Sequence, residues 1–142
     1  MIRKEKSTAG FTLIELLVVI AIIGILSSVV LASLNTARNK GNNAKIKAQL
    51  SGARAAAEIF YDNTNNSYTG LCTIGGTNPM NPYLTSANYP GGTTLVCNMS
   101  ATAYAMSALL TVVEGTATHW CIDSFGNSKG RASAAPAAGT AC

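Results

Sequence analysis

The chain has 142 residues, of which 10 are Lys or Arg and 6 are Asp or Glu, so its formal net charge is +4. Its apolar fraction of 48% is too high for a disordered chain, and its charged fraction of 11% is less than half of the ~25% typical of soluble domains. This length allows one domain, or a small domain with an appendage, and excludes large enzyme architectures. The modest charge and the 6% of aromatic residues are also a poor basis for binding nucleic acid.

The apolar residues are concentrated near the N-terminus. Residues 11–34 contain 18 apolar residues among 24, and no charged residue occurs in residues 16–37. About 20 helical residues cross a bilayer core of ~30 Å. Because residues 16–26 are apolar on every side of a helix, packing of one face on a soluble core is not expected. We therefore predict a membrane-directed helix, with a buried core helix as the alternative.

The residues before this helix form a short basic head that contains Arg3, Lys4 and Lys6. A basic head followed by an apolar stretch is also the arrangement of a secretory signal peptide, and small residues would allow cleavage near Ala32. Two features oppose this alternative. The apolar stretch is longer than the usual ~7–15 residues, and Glu15 lies inside it, where a carboxylate is unfavourable.

The letters GFTLIE at residues 10–15 open the apolar stretch. They combine a Gly, an aromatic residue, a Glu five residues after the Gly, and an apolar run. This pattern resembles the processing site of type IV prepilins and pseudopilins, over roughly residues 3–34. The resemblance implies cleavage after Gly10 by a membrane prepilin peptidase on the cytoplasmic side, and N-methylation of Phe11. The apolar helix would remain as membrane anchor and filament core.

Glu15 has a physical explanation in such a filament. Cleavage after Gly10 would create a cationic amine on Phe11, and Glu15 lies four residues further on, on the same helix face. A buried and unpaired carboxylate is unfavourable, so a stagger of subunits that brings an amine to each Glu15 would be favoured. The resemblance thus implies that Phe11 and Glu15 act in assembly; the alternative is an incidental polar residue near the membrane interface.

Many members of this family have a Pro in the apolar helix, at the position that Ala32 fills here. Without it, nothing obliges the helix to bend at this point. Gly24 weakens the helix by up to ~1 kcal/mol relative to Ala. Local melting of this helix during assembly is therefore not expected here.

A second helical segment is predicted to continue the apolar one, over residues 35–61. Its start is rich in weak helix formers, and Gly41 predicts a kink or break. Apolar residues then recur at helical spacing, at Ile46, Leu50, Ala53, Ala57, Phe60 and Tyr61. This apolar stripe needs a partner surface, which a sheet formed by the remaining residues would provide.

Residues 62–142 are predicted to form an outer domain. Residues 62–92, rich in Asn, Gly and Pro, predict a long loop. Strands are predicted at residues 93–97, 103–113 and 116–123, and a short fourth strand at 128–132. The Ala-rich tail that follows would fray unless anchored. The predicted fold class is α+β and pilin-like: one long N-terminal helix, half apolar and half amphipathic, packed on a small antiparallel β-sheet.

The chain has four cysteines: Cys72, Cys97, Cys121 and Cys142. No C-x-x-C pair occurs and His119 is the sole histidine, so a zinc site is not expected. An even number of cysteines outside a membrane segment predicts two disulfides in an oxidising compartment, although four reduced thiols are an alternative. Among the three connectivities we favour Cys72–Cys97 and Cys121–Cys142, because the second would anchor the tail.

Signals for catalysis are absent from the sequence, and no metal or cofactor is expected. Glu114 and Asp123 are the carboxylates beyond Asp62, too few for an acid/base or calcium site, and no charged residue occurs in the 51 residues between Asp62 and Glu114. His119, beside Trp120 on a predicted strand, is interpreted as structural. A neutral outer surface of this kind suits a subunit packed beside its copies, a glycosylated face, or weak selection for solubility.

We predict a structural, non-enzymatic subunit of a type IV pilus-like filament. Its partners would be copies of itself or related pilins, a prepilin peptidase and methylase, inner-membrane assembly machinery, and the bilayer before assembly, with no nucleic-acid site. The precursor would cross the bacterial inner membrane once, with a cytoplasmic N-terminus, and then enter an extracellular or periplasmic filament. The alternatives are a pseudopilin of secretion or DNA uptake, a secreted disulfide-bonded binding module, and, more distantly, an anchored enzyme.

Overall fold

The computed structural model describes residues 10–135 and 139–142, and the chain divides into two compact units between Ala37 and Arg38. The helices are α1 (Leu13–Asn63) and α2 (Asn81–Leu84), with 3-10 turns at Ser86–Asn88 and Pro90–Gly92. The strands are β1 (Leu95–Met99), β2 (Tyr104–Glu114), β3 (Ala117–Asp123) and β4 (Ser128–Arg131). The predicted α+β fold, with one long N-terminal helix and a four-stranded antiparallel sheet, is confirmed.

The first unit consists, within the described residues, of the start of α1 and the three residues before it. No Pro occurs in this part of the helix, so its ladder of backbone hydrogen bonds has no missing donor. The Ser28 hydroxyl donates to the carbonyl oxygen of Ile25 at 2.7 Å, which satisfies a polar group inside the apolar stretch. Every side chain from Phe11 to Leu34 is exposed, so this segment has no core of its own.

In the second unit, α1 continues through Gly41, so the break predicted there is wrong. The reason is a long-range contact two residues further on. The side chain of Asn43 is fully buried and is hydrogen-bonded to the backbone of Thr111 and Val112 in β2. Tertiary contacts of this kind outweigh the ~1 kcal/mol by which a Gly weakens a helix.

The predicted apolar stripe of α1 is confirmed. Its buried members recur every three or four residues: Ile46, Leu50, Ala53, Ala57 and Phe60. Tyr61 packs half-buried against the same core. The helix ends at Asn63, shortly before Asn65 and Asn66 adopt a positive φ, a conformation that Asn tolerates better than most residues.

The four strands pair in chain order, and each pair is antiparallel. All four strands that the sequence predicts are present, with bounds that differ from the prediction by at most two residues. One face of the sheet carries Met106 and Ile122, which oppose each other in β2 and β3 and pack on the buried stripe of α1. On the other face, Ala105 and Cys121 are buried against Ala135 from the end of the chain.

The connection between α1 and β1 is more ordered than predicted. The sequence predicts a long loop here, but the structure has α2 and two 3-10 turns in it. Pro82 lies in the first turn of α2, where a helix does not use the missing N–H. The Asn78 amide donates to the carbonyl oxygens of Leu71 and Thr73, at 3.1 and 2.8 Å. Hydrophobic periodicity does not reveal such short-range bonds of side-chain amides, so the sequence did not predict this order.

Candidate functional site

The predicted processing site lies just before α1. Gly10, Phe11 and Thr12 precede the first helical residue and have no regular secondary structure. The Phe11 side chain is 88% exposed, so the backbone on both sides of the bond between Gly10 and Phe11 is accessible. The first nine residues of the predicted leader, including its basic residues, lie outside the described residues.

Glu15 and Thr12 cap the start of α1. The Thr12 backbone N–H donates to Oε2 of Glu15 at 2.8 Å, and the Thr12 hydroxyl donates to the same oxygen at 2.7 Å. In return, the Glu15 backbone N–H donates to the Thr12 hydroxyl oxygen at 3.3 Å. This reciprocal arrangement is a capping box, which satisfies backbone donors that a helix start leaves unpaired. The carboxylate for which the resemblance implies a role in assembly therefore also caps the first turn of the helix.

The apolar stretch presents a continuous hydrophobic surface after this cap. Within the described residues, one helix, α1, has the length and the apolar composition needed to cross a membrane. Its large aliphatic side chains from Leu13 to Leu34 are each about half exposed or more. An exposed apolar surface of this extent in a folded chain indicates contact with lipid or with other protein.

The four cysteines form two disulfides, Cys72–Cys97 and Cys121–Cys142, with Cα–Cα distances of 5.7 and 5.8 Å. This is the pairing that the sequence analysis favoured. The first bond joins the connection after α1 to β1, and the second joins β3 to the last residue of the chain. The two bonds lie on opposite faces of the sheet, because Cys97 packs with the core under α1 and Cys121 packs with Ala135.

Asp123 anchors the turn after β3 and the end of the chain. Its buried carboxylate accepts hydrogen bonds from the backbone N–H groups of Phe125, Asn127 and Cys142, and from the Asn127 amide. Burial alone would raise the pKa of Asp123, but the hydrogen bonds from Asn127, Cys142 and Phe125 lower it below its usual value. Arg131 completes the anchor by donating to the oxygen of Cys142 at 2.6 Å.

A polar cluster joins α1 to the turn between β2 and β3. Asn43 donates to Oε1 of Glu114 at 2.9 Å, and the Lys47 ammonium forms an ion pair with the same carboxylate. The Lys47 Nζ also lies 4.3 Å from the centroid of the Trp120 ring, over its face. The bonds from Lys47 and Asn43 lower the pKa of Glu114. This cluster fixes the second part of α1 against the far end of β2.

His119 has a local partner within the sheet. Its Nδ1 lies 2.7 Å from the hydroxyl oxygen of Thr118, and partial burial lowers the pKa of the ring. It pairs with Leu109 on one side and Arg131 on the other, in β2 and β4. Across residues 10–135 and 139–142, no three His, Cys, Asp or Glu side chains come together in a way that could hold a metal ion.

Sequence reasoning missed three residues that shape these sites. The role of Thr12 could have been found, because a Thr three residues before a Glu at the start of an apolar run is the sequence signature of a capping box. Asn43 left no such signal, since its partners lie about 70 residues further along the chain. Asp123 was interpreted only as an isolated carboxylate, although an Asp at a turn commonly accepts bonds from the backbone that follows it.

A family model described as the prokaryotic N-terminal methylation motif matches residues 6–31. The type IV wide pilus major component PilA4 of Thermus thermophilus is 47% identical over 64 residues, which are 45% of this chain and 48% of that protein. Fimbrial protein Q of Moraxella bovis is 35% identical over 94 residues, which are 58% of this chain and 59% of that protein. The chain thus spans about half the length of the curated relatives it matches.

No solved structure matches the chain significantly. The matched motif includes Gly10, Phe11 and Glu15, the residues on which the resemblance to prepilins was based. The chain therefore carries the prokaryotic N-terminal methylation motif and is similar to a type IV pilus component and a fimbrial protein, which confirms the resemblance to type IV pilins.

Proposed function

We propose that this chain is a structural subunit of a type IV pilus-like filament. The observation that carries the proposal is the methylation motif over residues 6–31, placed directly at the start of a long, exposed apolar helix. In this proposal the apolar part of α1 holds the precursor in the membrane and later packs against its copies in the filament core. The sheet domain, with its two disulfides, faces the oxidising side.

Maturation begins with hydrolysis of the peptide bond after Gly10 by a prepilin peptidase on the cytoplasmic side. Hydrolysis leaves a carboxylate on Gly10 and a free amine on Phe11. A methyl group is then transferred to this amine from a methyl donor, with loss of one proton from the amine and release of the demethylated donor. The short non-helical segment before α1 supports this step, because an extended backbone can enter a protease cleft, whereas a helix must first unwind.

Assembly uses the new amine together with Glu15. Only Oε2 of Glu15 accepts hydrogen bonds from Thr12, so Oε1 remains available to the amine of Phe11 in the same chain or in a neighbour. In an apolar filament core, a carboxylate without a cationic partner is strongly unfavourable. The axial offset between neighbouring subunits that pairs each Phe11 amine with a Glu15 carboxylate would therefore be the most stable one.

Mass spectrometry of the mature protein tests the processing step. We expect a chain that begins at Phe11 and carries one added methyl group. A chain that begins at Ser33 would instead show an ordinary signal peptide and would overturn the proposal. An unprocessed chain in cells that contain an active prepilin peptidase would overturn it as well.

The assembly step is tested by Glu15→Ala. We expect normal processing after Gly10 but a loss of filaments, because the amine of Phe11 would have no carboxylate partner. Thr12→Ala is the informative control, since it removes the hydroxyl of the capping box and keeps the Glu15 carboxylate. Electron microscopy and sheared-filament yield measure the outcome. Normal filaments from Glu15→Ala, or an equal loss from Thr12→Ala, would contradict the role of charge pairing.

A further inference from the structure

A cavity of about 410 Å³ lies beside the C-terminal end of α1, in the second unit. It is formed by the last turn of α1 and by the connection that follows, up to Pro79. Phe60, which is mostly buried, and Pro79 are the apolar side chains that line it. The volume is within the range of ~300–1,000 Å³ that is usual for small-molecule sites.

Three polar side chains of the cavity are free to bind a ligand. Asn63, Thr73 and Thr77 line it and are exposed, and their side chains make no hydrogen bond to any part of the chain that the structure describes. Each of these groups can both donate and accept a hydrogen bond. None of the lining residues is charged, in keeping with the absence of charge throughout residues 63–113.

The wall of the cavity is held rigidly by side-chain amides. Asn78 donates to the carbonyl oxygens of Leu71 and Thr73 and accepts from the backbone of Met80 at 2.9 Å. Asn81 accepts from the backbone N–H of Gly75 at 2.9 Å. The disulfide between Cys72 and Cys97 ties the same wall to β1. A site of fixed shape loses less conformational entropy when it binds a ligand.

Gly70 and Phe60 lie next to each other in the lining of the cavity. Gly70 has a φ of +90°, which strongly favours glycine, and a Cβ at this position would lie 3.8 Å from the Cζ atom of Phe60. Phe60 itself is 9% exposed. The cavity thus combines a mostly buried aromatic side chain with a neutral rim of hydroxyl and amide groups.

We propose that this cavity binds a neutral saccharide. A sugar ring has hydroxyl groups that donate and accept hydrogen bonds at its edge and C–H groups on its faces. The first match Asn63, Thr73 and Thr77, and the second match Phe60 and Pro79. Anionic ligands are disfavoured because no cation lines the site, and purely apolar ligands are disfavoured because they would leave the rim unpaired. The proposal does not depend on filament formation.

The test uses the full chain in a zwitterionic detergent without sugar head groups, applied to arrayed neutral, sialylated and sulfated glycans. We expect binding to at least one neutral glycan, competition by the free sugar, and little change between 50 and 500 mM salt, because no charge takes part. The double variant Thr73→Val and Thr77→Val keeps the shape of the site. It should bind about tenfold more weakly, as expected for the loss of two neutral hydrogen bonds.

Thr94→Val is the matched control, because Thr94 is an exposed threonine of the same neutral region and does not line the cavity. Its affinity should stay within twofold of that of the unmodified chain. The proposal is overturned if no neutral glycan binds, if the double variant binds as well as the control, or if binding is confined to acidic glycans. It is also overturned if the double variant changes only self-association, since the cavity would then receive a second copy of the chain.

Discussion

The anchoring of α1 by Asn43 leads to a quantitative prediction. Between Leu109 and Glu114 the pairing of β2 with β3 is interrupted, and β1 pairs with β2 no further than Ala108. At this interruption, the Asn43 side chain forms backbone hydrogen bonds of the kind that a neighbouring strand would form. Its Oδ1 accepts from the backbone N–H groups of Thr111 and Val112, and its Nδ2 donates to the carbonyl oxygen of Val112. We predict that Asn43→Ala destabilises the sheet domain.

The magnitude follows from the bonds that are lost. Three backbone bonds disappear, each of which contributes ~0.5–1.5 kcal/mol, together with the bond to the Glu114 carboxylate, which is partly replaced by water because that carboxylate is exposed. Thr111 is exposed and Val112 is half-buried, so water can partly replace the lost bonds. Ala is also a better helix former than Asn by about half a kcal/mol. We therefore expect the free energy of unfolding to fall by about 2 to 3 kcal/mol.

Urea denaturation of the full chain in detergent micelles measures this change, with the fluorescence of the single Trp as reporter. Trp120 is suitable because its ring contacts Lys47 and its Nε1 donates to Ser128 at 3.1 Å, so unfolding changes its surroundings. With a slope of about 1–3 kcal/mol per molar urea, the midpoint should fall by roughly 1 M.

Asn42→Ala is the matched control. It makes the same substitution one residue earlier, at a half-buried Asn whose side chain has no hydrogen bond within residues 10–135 and 139–142. We expect it to leave the midpoint unchanged or slightly higher, because Ala favours the helix. If Asn43→Ala were no more destabilising than Asn42→Ala, the idea that the Asn43 amide stabilises β2 in the way a neighbouring strand does would be refuted.

Two further predictions concern the end of the chain. Because the pKa of Asp123 is lowered, its stabilising effect is present above the unfolded pKa of about 3.9 and is lost as the pH falls through the folded value. The Asp123→Asn variant should already be less stable at pH 7, since its amide would face the donors of Asn127 and Cys142, and it should lack this acid-dependent loss. Acid titrations followed by Trp120 fluorescence compare the variant with the unmodified chain. Parallel curves would contradict the prediction. Replacing Cys121 and Cys142 together by Ser should lower the free energy of unfolding by about 3 kcal/mol, the amount expected for opening a loop of 21 residues. An unchanged urea midpoint would show that the hydrogen bonds of Asp123 alone hold the tail.

The sequence predicted the parts of this fold that depend on local patterns. Local residue patterns located the four strands, and helical spacing located the stripe from Ile46 to Phe60. The methylation motif could be recognised from the sequence because its residues are adjacent in the chain and have a characteristic order. In each case, the information lies within a few residues of the feature that it specifies.

The features that the sequence did not predict depend on distant polar contacts. The sequence predicts a break at Gly41 and weak helix formation around Asn43, but Asn43 stabilises the helix by bonds to a strand that follows about 70 residues later. The order of the connection around Asn78 arises from amides that bond backbone groups a few residues away, in a region without hydrophobic periodicity. A polar side chain leaves the same sequence signal whether it is solvated or buried with partners.

The two disulfides also determine what happens to a subunit whose backbone is cut. They enclose most of the chain beyond α1, from Cys72 to Cys97 and from Cys121 to Cys142. A peptide bond broken within either loop leaves both fragments joined through sulfur. A protease could therefore cut the connection beyond Cys72, or the tail after Cys121, without detaching any part of the chain. In the filament proposed above, each subunit would keep its full mass after such a cut.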